Sequence, residues 1–367
     1  MEQLKLGFLG FGLIGGSIAK ALKSKNKKIY IHVYSRRQNS SLEEGIREGV
    51  IDEISYEIGS NFSDCSIIFL CAPVLTNIAF LKELKPYVTP NILITDVGSV
   101  KGNIHKAVTR LGLEVNFIGG HPMAGSEKTG YASSTATLLE NAYYFLTPCK
   151  KSQPSQLALL QQIVDDTGAL CVVLEPEEHD RITAAISHVP HIIATTLVNL
   201  VRLNDTKGGV MKEFAAGGFK DITRIASSSP EMWQNICHSN QDAIHGFLQE
   251  FICLLSEFDN HLMKHEEDAI KCLFEKAGAY RDSIPSGKGS LIVRQYEIYV
   301  DIADETGAIA TIATLLATNQ ISIKNIGIIH NREFADGVLR IELYEESICS
   351  QAATLLSSHG YTIFKRK

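Results

Sequence analysis

The chain has 367 residues, 45% hydrophobic and 21% charged, with a formal net charge of -6. That length predicts two or three domains, each able to bury its own core, and an acidic balance without a long basic run argues against nucleic-acid or membrane-surface binding. The eight cysteines (Cys65, Cys71, Cys149, Cys171, Cys237, Cys253, Cys272, Cys349) are scattered, mostly among apolar neighbours and without a Cys-x-x-Cys pair, and read as reduced core thiols, not disulfides or zinc ligands. A strand opens within five residues of Met1, leaving no room for a signal peptide. No apolar run reaches the roughly 18 residues of a membrane span. A cytoplasmic protein is expected.

In chain order, residues 4–9 form an apolar-rich strand that enters Gly10-Phe11-Gly12-Leu13-Ile14-Gly15-Gly16-Ser17, followed by a helical pattern. Glycines at this spacing between a strand and a helix permit a tight turn and the close approach of a pyrophosphate to the helix N-terminus, the dinucleotide-binding fingerprint. The second strand, 29–34, ends about 25 residues after the first glycine, where an Asp or Glu would hold the ribose hydroxyl of NAD. The chain carries Ser35-Arg36-Arg37 there. A hydroxyl with two guanidinium groups suits a 2′-phosphate and favours NADP, with NAD kept open and a solvated strand end as the bland alternative.

Further strands are expected at 67–71 (leading into Ala72-Pro73, also assigned to the cofactor), 92–96, 115–118, 143–146 and 170–174, alternating with helices such as 76–84 and 101–111. This alternation specifies a Rossmann-type doubly wound sheet over residues 1–175. The strand at 115–118 leads into Gly119-Gly120-His121-Pro122-Met123-Ala124-Gly125-Ser126-Glu127-Lys128. His121 should therefore sit at the C-terminal edge of the sheet, where open α/β sheets bind ligands. Ser99, at the end of the preceding strand, would be its neighbour, both facing a nicotinamide ring, although a serine there can also be a helix N-cap.

From Pro176 the periodicity becomes helical: 177–201, 208–216, 230–238, 240–264 and 266–280. Stretches such as Phe251, Leu255, Phe258 and Leu262 are too apolar for one exposed helix, so residues 176–282 are expected to form an all-α domain that pairs with a second copy in a homodimer. Within it, Ser187-His188-Val189-Pro190-His191 sets two histidines around a proline that must kink or break its helix. Behind Gly217-Gly218, Lys220, Asp221 and Arg224 gather charge, and Arg224 could clamp a carboxylate. No third ligand is spaced to complete a metal site with the histidines, so no metal is expected.

Together these residues resemble the prephenate dehydrogenase family, through Gly10-x-Gly12-x-x-Gly15, Asp96-Val97-Gly98-Ser99-Val100-Lys101, Gly120-His121-Pro122-Met123-Ala124-Gly125-Ser126-Glu127, Ser187-His188-x-Pro190-His191, Gly217-x-Phe219-Lys220-Asp221-x-Thr223-Arg224 and Met232-Trp233, in order across roughly residues 1–280. The resemblance implies NAD(P)-dependent oxidative decarboxylation of prephenate to 4-hydroxyphenylpyruvate. It makes His121 the base at the substrate hydroxyl, with Ser99 supporting it, Arg224 on a substrate carboxylate and His188 in the pocket. Glu127, Lys220 and Asp221 would form a charged entrance, with Ser126 and Trp233 nearby. Many members carry an acidic residue at the position of Ser35, and members using NADP often accept arogenate, so arogenate is the alternative substrate.

Residues 283–293 lie within a Gly-, Ser- and Pro-rich stretch read as a linker. Residues 294–367 then follow a βαββαβ order: strand 295–302, helix 308–319, strands 321–330 and 337–344, helix 347–358, strand 362–365. Asp304-x-x-Gly307 and Asn325-Ile326 resemble an ACT domain, a ferredoxin-like amino-acid-sensing module. The resemblance implies tyrosine as an allosteric inhibitor, bound near Gly307 and Asn325 between paired copies. A related hydroxy-acid or imine dehydrogenase, or an amino-acid sensor with a degenerate nucleotide domain, remain the other readings.

Overall fold

The computed structural model describes residues 3–125, 128–284, 296–302, 305–329 and 337–364, and the chain divides into two compact units, 1–284 and 285–367. The first opens with β1 (Lys5–Leu9), α1 (Leu13–Lys25), β2 (Tyr30–Tyr34), α2 (Ser40–Arg47), β3 (Glu53–Ser55), β4 (Ile67–Leu70), α3 (Val74–Leu84), β5 (Leu93–Asp96) and α4 (Gly102–Leu111). Its five strands pair in parallel, in the order β3-β2-β1-β4-β5. All four residues of β4, Ile-Ile-Phe-Leu, are buried, as a strand covered on both faces requires. Alternate residues feed different cores: Ile67 and Phe69 pack with Ile18 and Leu22 of α1, whereas Ile68 and Leu70 pack with Phe80 of α3 and Ile104 of α4.

β6 (Ile118–Pro122), β7 (Tyr143–Pro148), α5 (Pro154–Asp166) and β8 (Leu170–Val173) follow. They do not extend the parallel sheet as expected. β6 runs antiparallel to β7 and β7 parallel to β8, and a parallel bridge between Ile94 and Phe117 joins this small sheet to β5. Gly119-Gly120-His121-Pro122 is therefore a strand, not the turn after one. The reason is steric: a Cβ on Gly119 would collide with Thr147 Oγ1, and one on Gly120 would come within 2.5 Å of the Asp96 carbonyl. Only a chain without side chains fits between β5 and β7, so residues that signal a turn in isolation pair here as a strand.

α6 (Pro176–Thr183) passes through a π-helical turn, Ala184–His188, into α7 (Val189–Asn204). The proline expected to break this helix does not: the extra residue of the π turn precedes it, and Pro190 falls in the first turn of α7, where a missing N–H removes no bond. By length and composition, 176–204 is apolar enough to cross a membrane, which a search for uninterrupted apolar runs misses. α8 (Val210–Glu213), α9 (Gly217–Thr223), α10 (Pro230–Ser239), α11 (Gln241–Met263) and α12 (Glu267–Ser283) complete the unit, α8 being shorter than expected. α11 buries Ile244 alone, and Leu254, Leu255, Leu262, Met263 and, on α12, Phe274 are more than half exposed. The cysteines are less uniformly internal than expected: Cys65 and Cys349 are buried, Cys253 is exposed and the others are intermediate.

In the second unit, β9 (Tyr296–Ile302), α13 (Ala308–Thr318), β10 (Asn325–Ile329), β11 (Gly337–Leu343), α14 (Glu346–Ser358) and β12 (Ile363–Phe364) keep the expected βαββαβ order. They form an antiparallel sheet ordered β10-β11-β9-β12. Ile298, Val300, Leu339 and Ile341 pack with Ile312 and Leu316 of α13 and Ala352 and Leu356 of α14. The linker expected at 283–293 begins as the last residue of α12, and its residues from 285 lie outside those described.

Candidate active site

The glycine turn has the geometry its spacing predicts. Gly10 adopts a φ of 89°, and a Cβ there would approach the Ala72 backbone nitrogen to 2.9 Å, so both conformation and space demand glycine. A Cβ on Gly12 would meet nothing within 4 Å: the turn is open on that side. No side chain caps α1, and its first turn, with Leu13, Ile14 and Gly15, holds no acidic residue, leaving unpaired amides for an anion. Across the turn, the Ala72 backbone N–H donates to Oδ1 of the buried Asn77 at 3.0 Å, and Pro73 precedes α3. These features fit a dinucleotide. At the end of β2, Ser35 Oγ donates to the Arg37 carbonyl at 2.7 Å, and the exposed Arg36 guanidinium lies 5.7 Å from the Phe80 ring centre.

His121 stands on β6 opposite Phe145 and is nearly buried. Its Nδ1 lies 2.8 Å from Nε2 of His179, and Nδ1 of His179 lies 2.9 Å from Oδ1 of Asp180. Asp180 in turn accepts the backbone N–H groups of Lys101 and Gly102, each at 2.7 Å, and so caps α4 from α6. Beneath β6, the wholly buried Lys101 ammonium pairs with Asp96 and donates to the Gly120 carbonyl at 2.6 Å, while Asp96 accepts the amides of Gly98 and Gly120. Ser99 is half-buried in the loop between β5 and α4.

Burial holds His121 well below the ordinary imidazole range, and His179, Lys101 and His188 push it the same way. Burial also lowers His179, against the pull of Asp180. For Asp180 burial acts upward, but the hydrogen bonds from His179 and the amides of Lys101 and Gly102 prevail and keep the carboxyl below its usual value. Two neutral imidazoles leading to one carboxylate are the result.

His188, at the end of the π turn, is buried and faces the Asn240 side-chain amide at 3.1 Å. The same amide nitrogen donates to the Asp180 carbonyl at 2.8 Å. Burial lowers the imidazole of His188 to about 4. His191 donates to the Ser187 carbonyl and stacks on Trp233 at 3.9 Å, with His188 edge-on to the same indole. The Trp233 Nε1 is buried with no hydrogen-bond partner among the described residues. Arg224 begins the turn after α9 and is exposed; burial lowers the imidazole of His191, and the nearby Arg224 cation pushes it the same way. Lys220 and Asp221 are exposed on α9. A cavity of about 390 Å³ borders His191, Thr195, Ile225 and Trp233; His121, His188 and Arg224 are not among its walls.

Of the expected site residues, His121, His188, His191 and Trp233 are thus brought close together. Lys220, Asp221 and Arg224 are exposed on α9 and the turn after it, beside α7, with Arg224 near His191. Ser126 and Glu127 lie outside the described residues, as does Asp304. In the second unit Gly307, with φ 95°, borders a cavity of about 390 Å³ with Asp301, Thr306, Thr311 and Tyr361, whereas Asn325 and Ile326 do not border it. His179, Asp180 and Asn240 were not anticipated. The only sequence signal for the first two was an adjacent His-Asp pair in an otherwise ordinary acidic helix start.

Residues 18–173 match the family model described as prephenate dehydrogenase, nucleotide-binding domain, and residues 175–276 match prephenate dehydrogenase, dimerization domain. The chain is 37% identical to the prephenate dehydrogenase of Bacillus subtilis over 94% of each chain, and 33% identical to that of Lactococcus lactis over 96% of this chain and 97% of the relative. Among solved structures it resembles prephenate dehydrogenase from Aquifex aeolicus in complex with hydroxyphenyl propionate and NAD+ (30% identity, TM-score 0.72, 78% of this chain and 99% of the other) and Synechocystis arogenate dehydrogenase (30%, TM-score 0.69, 77% and 100%). The chain belongs to the prephenate dehydrogenase family, oxidoreductases that oxidise and decarboxylate prephenate.

Proposed function

We propose that His121 is the general base of this oxidative decarboxylation. The observation that carries the reading is a buried, neutral imidazole where the parallel-sheet half meets the helical half. A base must be unprotonated before it acts, and burial together with Lys101 keeps His121 so at neutral pH. The bound nicotinamide dinucleotide supplies the hydride acceptor. His121 takes the proton of the substrate's ring hydroxyl as hydride leaves the same carbon, and Ser99 orients that hydroxyl. Loss of the ring carboxylate as CO₂ then aromatises the ring. Arg224 holds a substrate carboxylate by charge-assisted hydrogen bonds, His188 lines the pocket beside Trp233, and Lys220, Asp221, Ser126 and Glu127 form its charged approach.

Residues 1–175 bind the cofactor, 176–282 form the helical domain and 294–367 an ACT regulatory domain, all in the cytoplasm. The cofactor is NADP in preference to NAD, supported by the exposed Arg36 and Arg37 where an acidic residue is absent; the Aquifex relative bound with NAD+ makes NAD the alternative. The enzyme works as a homodimer, supported by the exposed apolar faces of α11 and α12. Tyrosine inhibits it from the pocket beside Gly307, whose roughly 390 Å³ suits a small ligand.

The test is NAD(P)H formation at 340 nm, crossing prephenate and arogenate with both dinucleotides, with and without tyrosine. Prephenate with NADP+ should turn over fastest and tyrosine should suppress it. His121→Asn should lower kcat by about 10² or more and leave dinucleotide affinity unchanged. Turnover surviving in that variant would remove the base assignment.

A further inference from the structure

The overall reaction releases no net proton. The hydroxyl proton taken as hydride leaves is needed again at the same oxygen, once CO₂ departs and its bonding electrons aromatise the ring to a phenolate. The base must therefore hold a proton briefly and return it. His121 is poorly placed to do so alone, because an imidazolium there would sit in a buried site beside the Lys101 cation.

The hydrogen-bond chain behind it supplies what is missing. Asp180 is an acceptor, already bound by two backbone amides, so the proton between it and His179 belongs to Nδ1 of His179. A neutral His179 then has a bare Nε2, which can only accept. The bond at 2.8 Å must be donated by Nδ1–H of His121, and Nε2 of His121 is left with its lone pair. A carboxylate on α6 thus determines, through one ring, which nitrogen of a histidine on β6 can act as the base.

We propose that His179 and Asp180 are positioning residues for His121: they fix its tautomer and share the proton it takes from the substrate hydroxyl until that proton is returned to the same oxygen. As Nε2 of His121 gains the proton, its Nδ1–H shifts toward Nε2 of His179, and positive charge moves away from Lys101 and onto a ring whose other nitrogen faces Asp180. The reverse shifts return the proton to the phenolate oxygen. The charged or titratable groups acting on these rings are Asp96 of β5, Lys101 before α4, His188 of the π turn and Asp180 itself.

This assignment rests on His121 being the base, and the experiment separates the two. In the full-length protein, kcat and KM are measured across pH for His121→Asn, His179→Gln, Asp180→Asn and Asp180→Glu. A glutamine at 179 can accept from His121 but cannot carry a proton, and asparagine at 180 removes the charge while retaining an acceptor for α4. Both are expected to lower kcat by about 10- to 100-fold, with KM within about twofold. Both should also move the acid limb of the kcat profile to lower pH, since an imidazolium that has lost its anion gives up its proton more readily. Asp180→Glu should recover part of kcat. If His179→Gln keeps the wild-type kcat and acid limb while His121→Asn is inactive, the relay falls and the base stands. If kcat falls with no displacement of the acid limb, His179 serves packing alone and the relay is again overturned. An active His121→Asn would instead remove the base on which both rest.

Discussion

At the scale of single residues, the strand that carries His121 rests on a fully buried cation. Lys101 and Asp96 are both fully buried and paired with one another, and Lys101 also holds the Gly120 carbonyl. Such a pair contributes little net stability, but losing one partner strands the other charge in a medium that cannot solvate it. Lys101→Met should therefore lower unfolding free energy by about 3–5 kcal/mol, read from the denaturant midpoint. Adding Asp96→Asn should restore part of the loss. Both residues stand in the Asp96-to-Lys101 motif, so their identity was legible in the sequence. Their pairing under β6 was not, because nothing local distinguishes a buried lysine from one on a helix surface.

At the scale of elements, glycines mattered most where propensity misleads. Gly119-Gly120 before His121-Pro122 signals a turn, and the expected strand stopped at 118. Tertiary crowding by Thr147 and the Asp96 carbonyl turns the same residues into β6. Gly120→Ala should force β5 and β6 apart at a backbone contact that cannot yield. A loss of roughly 1–3 kcal/mol in thermal or chemical unfolding is expected, with kcat falling as His121 shifts. The glycine turn after β1, by contrast, was legible, because the positive φ of Gly10 is a local requirement that glycine meets. The π turn at Ala184–His188 lay between these cases. Pro190 announced a disturbance in the helix, but which hydrogen-bond register would absorb it depends on packing, not on the proline alone.

For the molecule as a whole, two consequences can be measured. Burial holds the imidazoles of His105 and His188 near 4, whereas in the unfolded chain they titrate near 6.5. Between those values the unfolded state binds more protons than the folded one, so stability rises with pH across that window. Melting temperature should thus fall progressively on acidification from about pH 6.5 to about pH 4. The second consequence concerns the apolar surface of α11 and α12. Leu255→Asp, at a position 53% exposed in one chain, should leave the fold of the monomer intact and shift sedimentation from dimer to monomer. A variant that still sediments as a dimer would move the pairing surface elsewhere. The helical periodicity made the apolar, exposed face of α11 and α12 legible; the contacts joining the helices to the parallel sheet were not, since they run between residues far apart in sequence.

One of those contacts has a consequence for motion. Asp180 fastens the first amides of α4 to α6 at the same atoms that hold His179 in line with His121. A hinge that swung the helical half away from the sheet would break that fastening and silence the base in the same movement. Any displacement of α6 from α4 would thereby be felt at the ring of His121, the base we propose.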